Sequence, residues 1–181
     1  MDSTLKNHLV SIEAIKNAIE HKYDNYNTEQ LNYKPSEDSW SLLQVLEHLV
    51  LVETGSINYI NKKILDVLNL ETESFDSKFR FFVLNKSLLS PIKFKNKSDY
   101  VEPTNNPDYK DLKLKWDIAR QGLVQFYDTY HTNIKSNILI YKHPFAGRFT
   151  FPQMCGFFDA HLKHHLKQIR RIEGDANFPK K

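Results

Sequence analysis

The sequence predicts an all-α protein, a four-helix bundle with an irregular insertion between the second and third main helices. Three observations lead there. Four long stretches place apolar residues at steps of three and four, the period of a helix that buries one face. Glycine (5) and proline (7) are scarce among the 181 residues, which favours long uninterrupted elements over a turn-rich all-β design. Two of the stretches open on a serine or threonine with glutamine three residues later, the pattern of a capping box. The chain fits a single domain spanning 1–181 and is long enough to build a hydrophobic core.

The first stretch, from residue 4 to about 24, alternates Leu5, Leu9, Ile12, Ile15 and Ile19 with Lys6, Glu13, Lys16 and Glu20, which is an amphipathic helix. Residues 25–39 are polar, contain Pro35 and read as a connection. The second helix opens at Ser41, with Gln44 completing the box, and runs apolar almost all round through Val52. A helix of that kind is buried on most sides, and it extends through Tyr59 and Ile64 to about Leu68. Residues 71–106 are the insertion: 79–89 form a short helix stopped by Pro91, and the remainder, with Pro103, is a long loop. Loops of that size often cover a site. The third long helix starts near Asn106 and Pro107, with proline in its first turn, and buries Leu112, Trp116, Ala119, Leu123, Phe126 and Tyr130. Residues 134–149, containing His143-Pro144-Phe145-Ala146-Gly147, connect to the last helix. That helix opens at Thr150, with Gln153 in the box, and ends at Gly174.

Composition narrows the function. Hydrophobic residues at 40% and charged residues at 26% are ordinary for a globular protein. The net charge of +3 comes from lysines scattered along the chain, so nucleic acid is not an expected partner. A single cysteine, Cys155, excludes an intramolecular disulfide and fits a reducing compartment. There is no apolar run of signal-peptide type and nothing near the roughly 20 apolar residues that span a bilayer. A soluble, cytoplasmic protein with no membrane contact is expected.

The chemistry concentrates in the last helix, at His161-Leu162-Lys163-His164-His165. At about 100° per residue, His161 and His165 lie roughly 40° apart and about 6 Å along the axis. Phe157, Gln168 and Ile172 share their face, whereas Lys163, Lys167 and Arg170 lie opposite. Two inward imidazoles at this spacing can hold one metal ion with a further ligand, and His48, in the apolar second helix, is the candidate. The competing reading of each is a hydrogen-bonded core histidine. An unsatisfied buried polar group costs about 1–3 kcal/mol, and a metal satisfies one nitrogen of each ring at once. Three neutral imidazoles suit Zn²⁺, Ni²⁺ or a similar ion and leave a position open for water or substrate. His164 falls about 60° off the ligand line and reads as a rim residue. Gln168, one turn past His165, is placed to orient a ligand or touch substrate. Glu47 is a weak acid–base candidate, and Cys155 belongs to the core. His8, His21 and His131 sit in ordinary helical contexts.

Two stretches resemble the DinB-like (DinB/YfiT) superfamily of four-helix bundles. One is Leu31-Asn32-Tyr33-Lys34-Pro35 followed by Trp40-Ser41 and Glu47-His48-Leu49; the other is His161, His165, Gln168 and Ile169. His143-Pro144 with Gly147 is similar to a subgroup of that family. The likeness runs from the second helix to the last, although residues 71–106 match nothing in it. The resemblance implies a divalent ion, zinc or nickel, on His48, His161 and His165. It implies a metal-dependent enzyme, either an S-transferase using a low-molecular-weight thiol or a hydrolase, acting on a small molecule, with a homodimer common. The alternative is a non-catalytic bundle that binds a small molecule or a protein partner.

Overall fold

The computed structural model describes residues 3–90, 99–105 and 107–180. Pro91 and Asn106 lie outside them. Among the described residues six α-helices and one small hairpin follow in order: α1 (Ser3–Tyr23), α2 (Thr28–Asn32), α3 (Leu42–Lys63), α4 (Phe75–Leu89), α5 (Tyr109–Asn133), β1 (Tyr141–His143), β2 (Gly147–Phe149) and α6 (Phe151–Glu173). The four long helices α1, α3, α5 and α6 make the bundle: α1 packs on α6, α3 on both α5 and α6. The stripe expected on α5 is buried at every position, from Leu112 to Tyr130. No helix among the described residues is long and apolar enough to cross a membrane.

Both capping boxes form. Ser41 Oγ accepts the Gln44 N–H while Gln44 Oε1 accepts the Ser41 N–H, and Thr150 and Gln153 do the same. These fix where α3 and α6 begin, because each satisfies backbone donors that a helix start leaves open. Gly174 terminates α6.

Five details depart from the sequence reading, four in the helices and one in the connection before α6. The connection 25–39 contains α2, opened by a capping box between Asn27 and Gln30. The α-helical part of α3 ends at Lys63, and a short 3-10 turn, Ile64–Asn69, carries the chain on. Helix α5 takes Asp108 as its cap, so Pro107 precedes the helix and does not occupy its first turn. The helix in the insertion is longer than expected: α4 begins at Phe75 because Ser74 and Ser77 cap it reciprocally, and it lies along α6. Gly156 on α6 admits it, since a Cβ there would stand 2.9 Å from the Phe81 ring.

Residues 134–149 also hold a hairpin with Tyr141 opposite Phe149 and His143 opposite Gly147. The short length of its strands left no alternating pattern to read. His143 Nδ1 accepts the N–H groups of Phe145 and Ala146 at 3.2 Å each, and Gly147 closes the turn at φ +83°. Tyr141 and Phe149 from this hairpin reach the core, where Tyr141 stacks on Phe157 of α6.

Candidate metal centre

Helices α3 and α6 bring His48, His161 and His165 together. All three are buried, and one nitrogen of each lies within 4.8 Å of the other two. Among the described residues this is the one group of three or more His, Cys, Asp or Glu side chains so placed. His161 Nε2 stands 3.3 Å from His48 Nε2 and 3.0 Å from His165 Nε2.

The opposite edges of two rings explain why those nitrogens face inward. His48 Nδ1 lies 2.8 Å from the Val101 carbonyl, and His165 Nδ1 lies 2.8 Å from Gln168 Oε1. Both partners only accept, so each Nδ1 carries the proton and donates it. Each neutral ring therefore presents a lone pair at Nε2, and both lone pairs point at His161 Nε2. One proton on His161 cannot satisfy both contacts with good geometry, whereas a cation among the three nitrogens can. The spacing suits one. Two ligands about 2.0–2.1 Å from an ion stand about 2.9 Å apart at a right angle and about 3.4 Å apart at a tetrahedral angle.

Aromatic rings enclose the cluster. Trp40, the residue before the α3 cap, stacks over His165 at 6.5 Å and tilts against His48 at 5.0 Å. Phe157 stacks beneath His161 at 5.2 Å, and the His143 ring meets Phe157 edge-on at 4.8 Å. Burial disfavours the imidazolium form throughout. It holds His48 below its ordinary value, although the Val101 carbonyl pulls the other way. It drives His165 down to about 3, helped by His48, and pushes His161 well below the usual range, helped by His165 and His48. All three rings are thus neutral near pH 7 and available as nitrogen donors.

The remaining candidates sort out by contact. Gln168 touches His165 and orients it. His164 accepts no place in the cluster; its Nδ1 donates to the Leu88 carbonyl at 2.9 Å and ties α6 to the end of α4. Glu47 is engaged as an acceptor for the backbone N–H and hydroxyl of Thr104. Cys155 is fully buried and its thiol is pushed far up by that burial, so it is a core residue. His8 pairs with Asp159 at 3.1 Å, and His131 packs against Tyr127. Sequence reasoning missed the Val101 carbonyl, since a backbone oxygen 53 positions away leaves no residue-type signal. It also missed Trp40 as the roof of the site, although the residue stands directly before the cap that starts α3.

Comparison with known proteins agrees with this architecture. The family model described as the DinB superfamily matches residues 12–169. The uncharacterized protein YuaE of Bacillus subtilis (strain 168) is 24% identical over 145 residues, covering 80% of this chain and 84% of its own. Among solved structures, YfiT from Bacillus subtilis superposes with a TM-score of 0.55 at 12% identity, over 96% of this chain and 87% of YfiT. YfiT is described as a probable metal-dependent hydrolase with an unusual four-helix bundle topology.

Proposed function

The chain belongs to the DinB superfamily, and from that premise we propose a metal-dependent enzyme, a thiol S-transferase or a hydrolase, working on a small molecule at an ion held by His48, His161 and His165. The observation that carries the proposal is the pair of Nε2 lone pairs, fixed from behind by Val101 and Gln168, converging on a third imidazole at 3.3 and 3.0 Å. Zn²⁺ or Ni²⁺ is the expected ion, because neutral imidazole donors suit both. When bound, such an ion supplies Lewis acidity at its open position and acidifies a water or thiol presented there.

The chain's own residues have three tasks. His48, His161 and His165 hold the ion as neutral ligands, which burial favours by lowering the pKa of each ring. Gln168 and the Val101 carbonyl fix which nitrogen of each ring is free. Trp40 and Phe157 wall the cluster with apolar surface, which strengthens electrostatic interactions inside it. The description of YfiT supports the hydrolase branch, and a buried free cysteine fits a reducing compartment.

Purified protein is expected to retain about one divalent ion per chain, the fourth position being left to solvent or substrate. Each of His48→Ala, His161→Ala and His165→Ala should abolish stoichiometric binding in metal analysis. Chelation should remove activity while shifting the melting temperature little, since the core is built by apolar packing and not by the ion. A wild-type chain that stays metal-free after incubation with Zn²⁺ and Ni²⁺ would sink the reading. A chain that unfolds on chelation would make the ion structural. Turnover by the loaded protein is then compared between a panel of small thiols with an electrophile and a panel of hydrolysable amides and esters.

A further inference from the structure

We propose that Glu47 and Thr104 are positioning residues for the metal centre: they strap residues 101–104 onto α3, so that the Val101 carbonyl holds His48 in its ligand orientation. The inference rests on the metal-dependent reading given above and assigns how one ligand of that site is held.

His165 and His48 are oriented in different ways. The acceptor for His165 is Gln168, three residues on in the same helix, so the helix itself supplies it. The acceptor for His48 is a backbone carbonyl from the far side of the insertion, and it stays in place only if that segment is held. Thr104 does the holding. Its N–H donates to Glu47 Oε2 at 2.7 Å, and its hydroxyl donates to the same carboxylate at 3.0 and 3.1 Å. Its carbonyl accepts from Gln44 Nε2 at 3.0 Å. Gln44 also closes the capping box with Ser41, so the start of α3, the strap and His48 form one network.

The energetics favour Glu47 as the anchor. Bonds to an ionised carboxylate are roughly twice as strong as neutral ones, and Glu47 precedes His48 directly, so the anchor and the ring move with the same helical turn. Pro103, between Val101 and Thr104, restricts the residue before it and stiffens the three-residue span. If the strap lifts, His48 Nδ1 loses its acceptor and Nε2 is no longer fixed as the free nitrogen. Partners that orient metal-binding histidines are typically worth 10–100-fold in affinity.

The test uses the full chain as wild type, Glu47→Ala and Glu47→Gln. Zn²⁺ affinity is measured by competition with a chromophoric chelator, and the imidazole ¹⁵N resonances are followed in the metal-free protein. Glu47→Ala is expected to weaken Zn²⁺ binding by roughly 10–100-fold. The His48 Nδ1 signal should lose its hydrogen-bonded signature, while that of His165, anchored within α6, stays where it was. Glu47→Gln keeps an oxygen for the Thr104 N–H and should recover part of the affinity. The proposal is overturned if Glu47→Ala binds Zn²⁺ like wild type with an unchanged His48 signal. It is equally overturned if the His48 and His165 signals move together, which would mean general loosening. A wild-type chain that takes up neither Zn²⁺ nor Ni²⁺ defeats the metal-dependent reading, and the His48 resonance still decides whether Glu47 orients the ring.

Discussion

Among the inward imidazoles, what each Nδ1 meets decides what the ring can do. His48 and His165 give their Nδ1 protons to oxygens and so turn bare Nε2 atoms towards His161. His143 is the reverse case: its Nδ1 accepts two backbone N–H groups, which makes it the clasp of the hairpin turn. Protonation would convert that acceptor into a donor and break both bonds. Burial accordingly lowers the His143 pKa from 6.5 to about 4. In the unfolded chain the ring protonates near its ordinary value, so between those two values the unfolded state binds more protons. Stability then rises with pH, and it is lost as pH falls from about 6.5 towards 4. A displacement of that size corresponds to about 3 kcal/mol. In denaturant titrations of the metal-free protein, His143→Gln should show a visibly shallower loss of stability across that window than wild type. Equal slopes for the two proteins would refute this account of the ring.

At the scale of elements, capping chemistry explains both what could be read and what was overlooked. The boxes at Ser41 and Thr150 introduce long apolar stretches and are conspicuous. The same device at Asn27 and Ser74 opens α2 and α4, where the hydrophobic pattern is short or two-sided and the signal is lost. Helix α4 illustrates the second case: Ser77 and Leu88 are buried, whereas Phe75, Phe79 and Phe82 are exposed. The hairpin offers a sharper test. Gly147 sits at φ +83°, and a Cβ there would also come 3.1 Å from Arg80 Nε, which donates to the neighbouring Ala146 carbonyl. Gly147→Ala should therefore cost about 1–2 kcal/mol from the backbone conformation alone. A thermal melt within a few tenths of a degree of wild type would show that the turn relaxes instead.

Across the whole molecule, a second buried polar assembly ties α3 to α5, at positions whose pairing no spacing rule announces. Glu53 accepts from Trp116 Nε1 at 2.8 Å and from Arg120 at 2.9 Å, all three side chains being buried. Burial pushes the Glu53 carboxyl up, and Arg120 and Trp116 oppose it. Removing one partner of such a pair leaves the other charge uncompensated in the interior. Glu53→Ala is expected to destabilise the fold by about 3–5 kcal/mol, more than the same change at an exposed carboxylate. Replacing Glu53 and Arg120 together by leucine should cost less than the single change. The comparison is made by chemical denaturation of both variants, and a double variant worse than the single would contradict the argument.

The sequence by itself determined the helical class, the four long helices, the two sharpest helix starts and the side of α6 on which His161 and His165 lie. Each of these is local: helical periodicity and capping operate within a few residues. The tertiary structure alone decided that His48 meets the C-terminal pair, that a carbonyl from the insertion faces it, and that Glu47 is an anchor for Thr104. It also decided that α4 lies along α6. Those facts join residues separated by tens of positions. Local spacing says which way a side chain points, and only the packing of one helix against another says what it finds there.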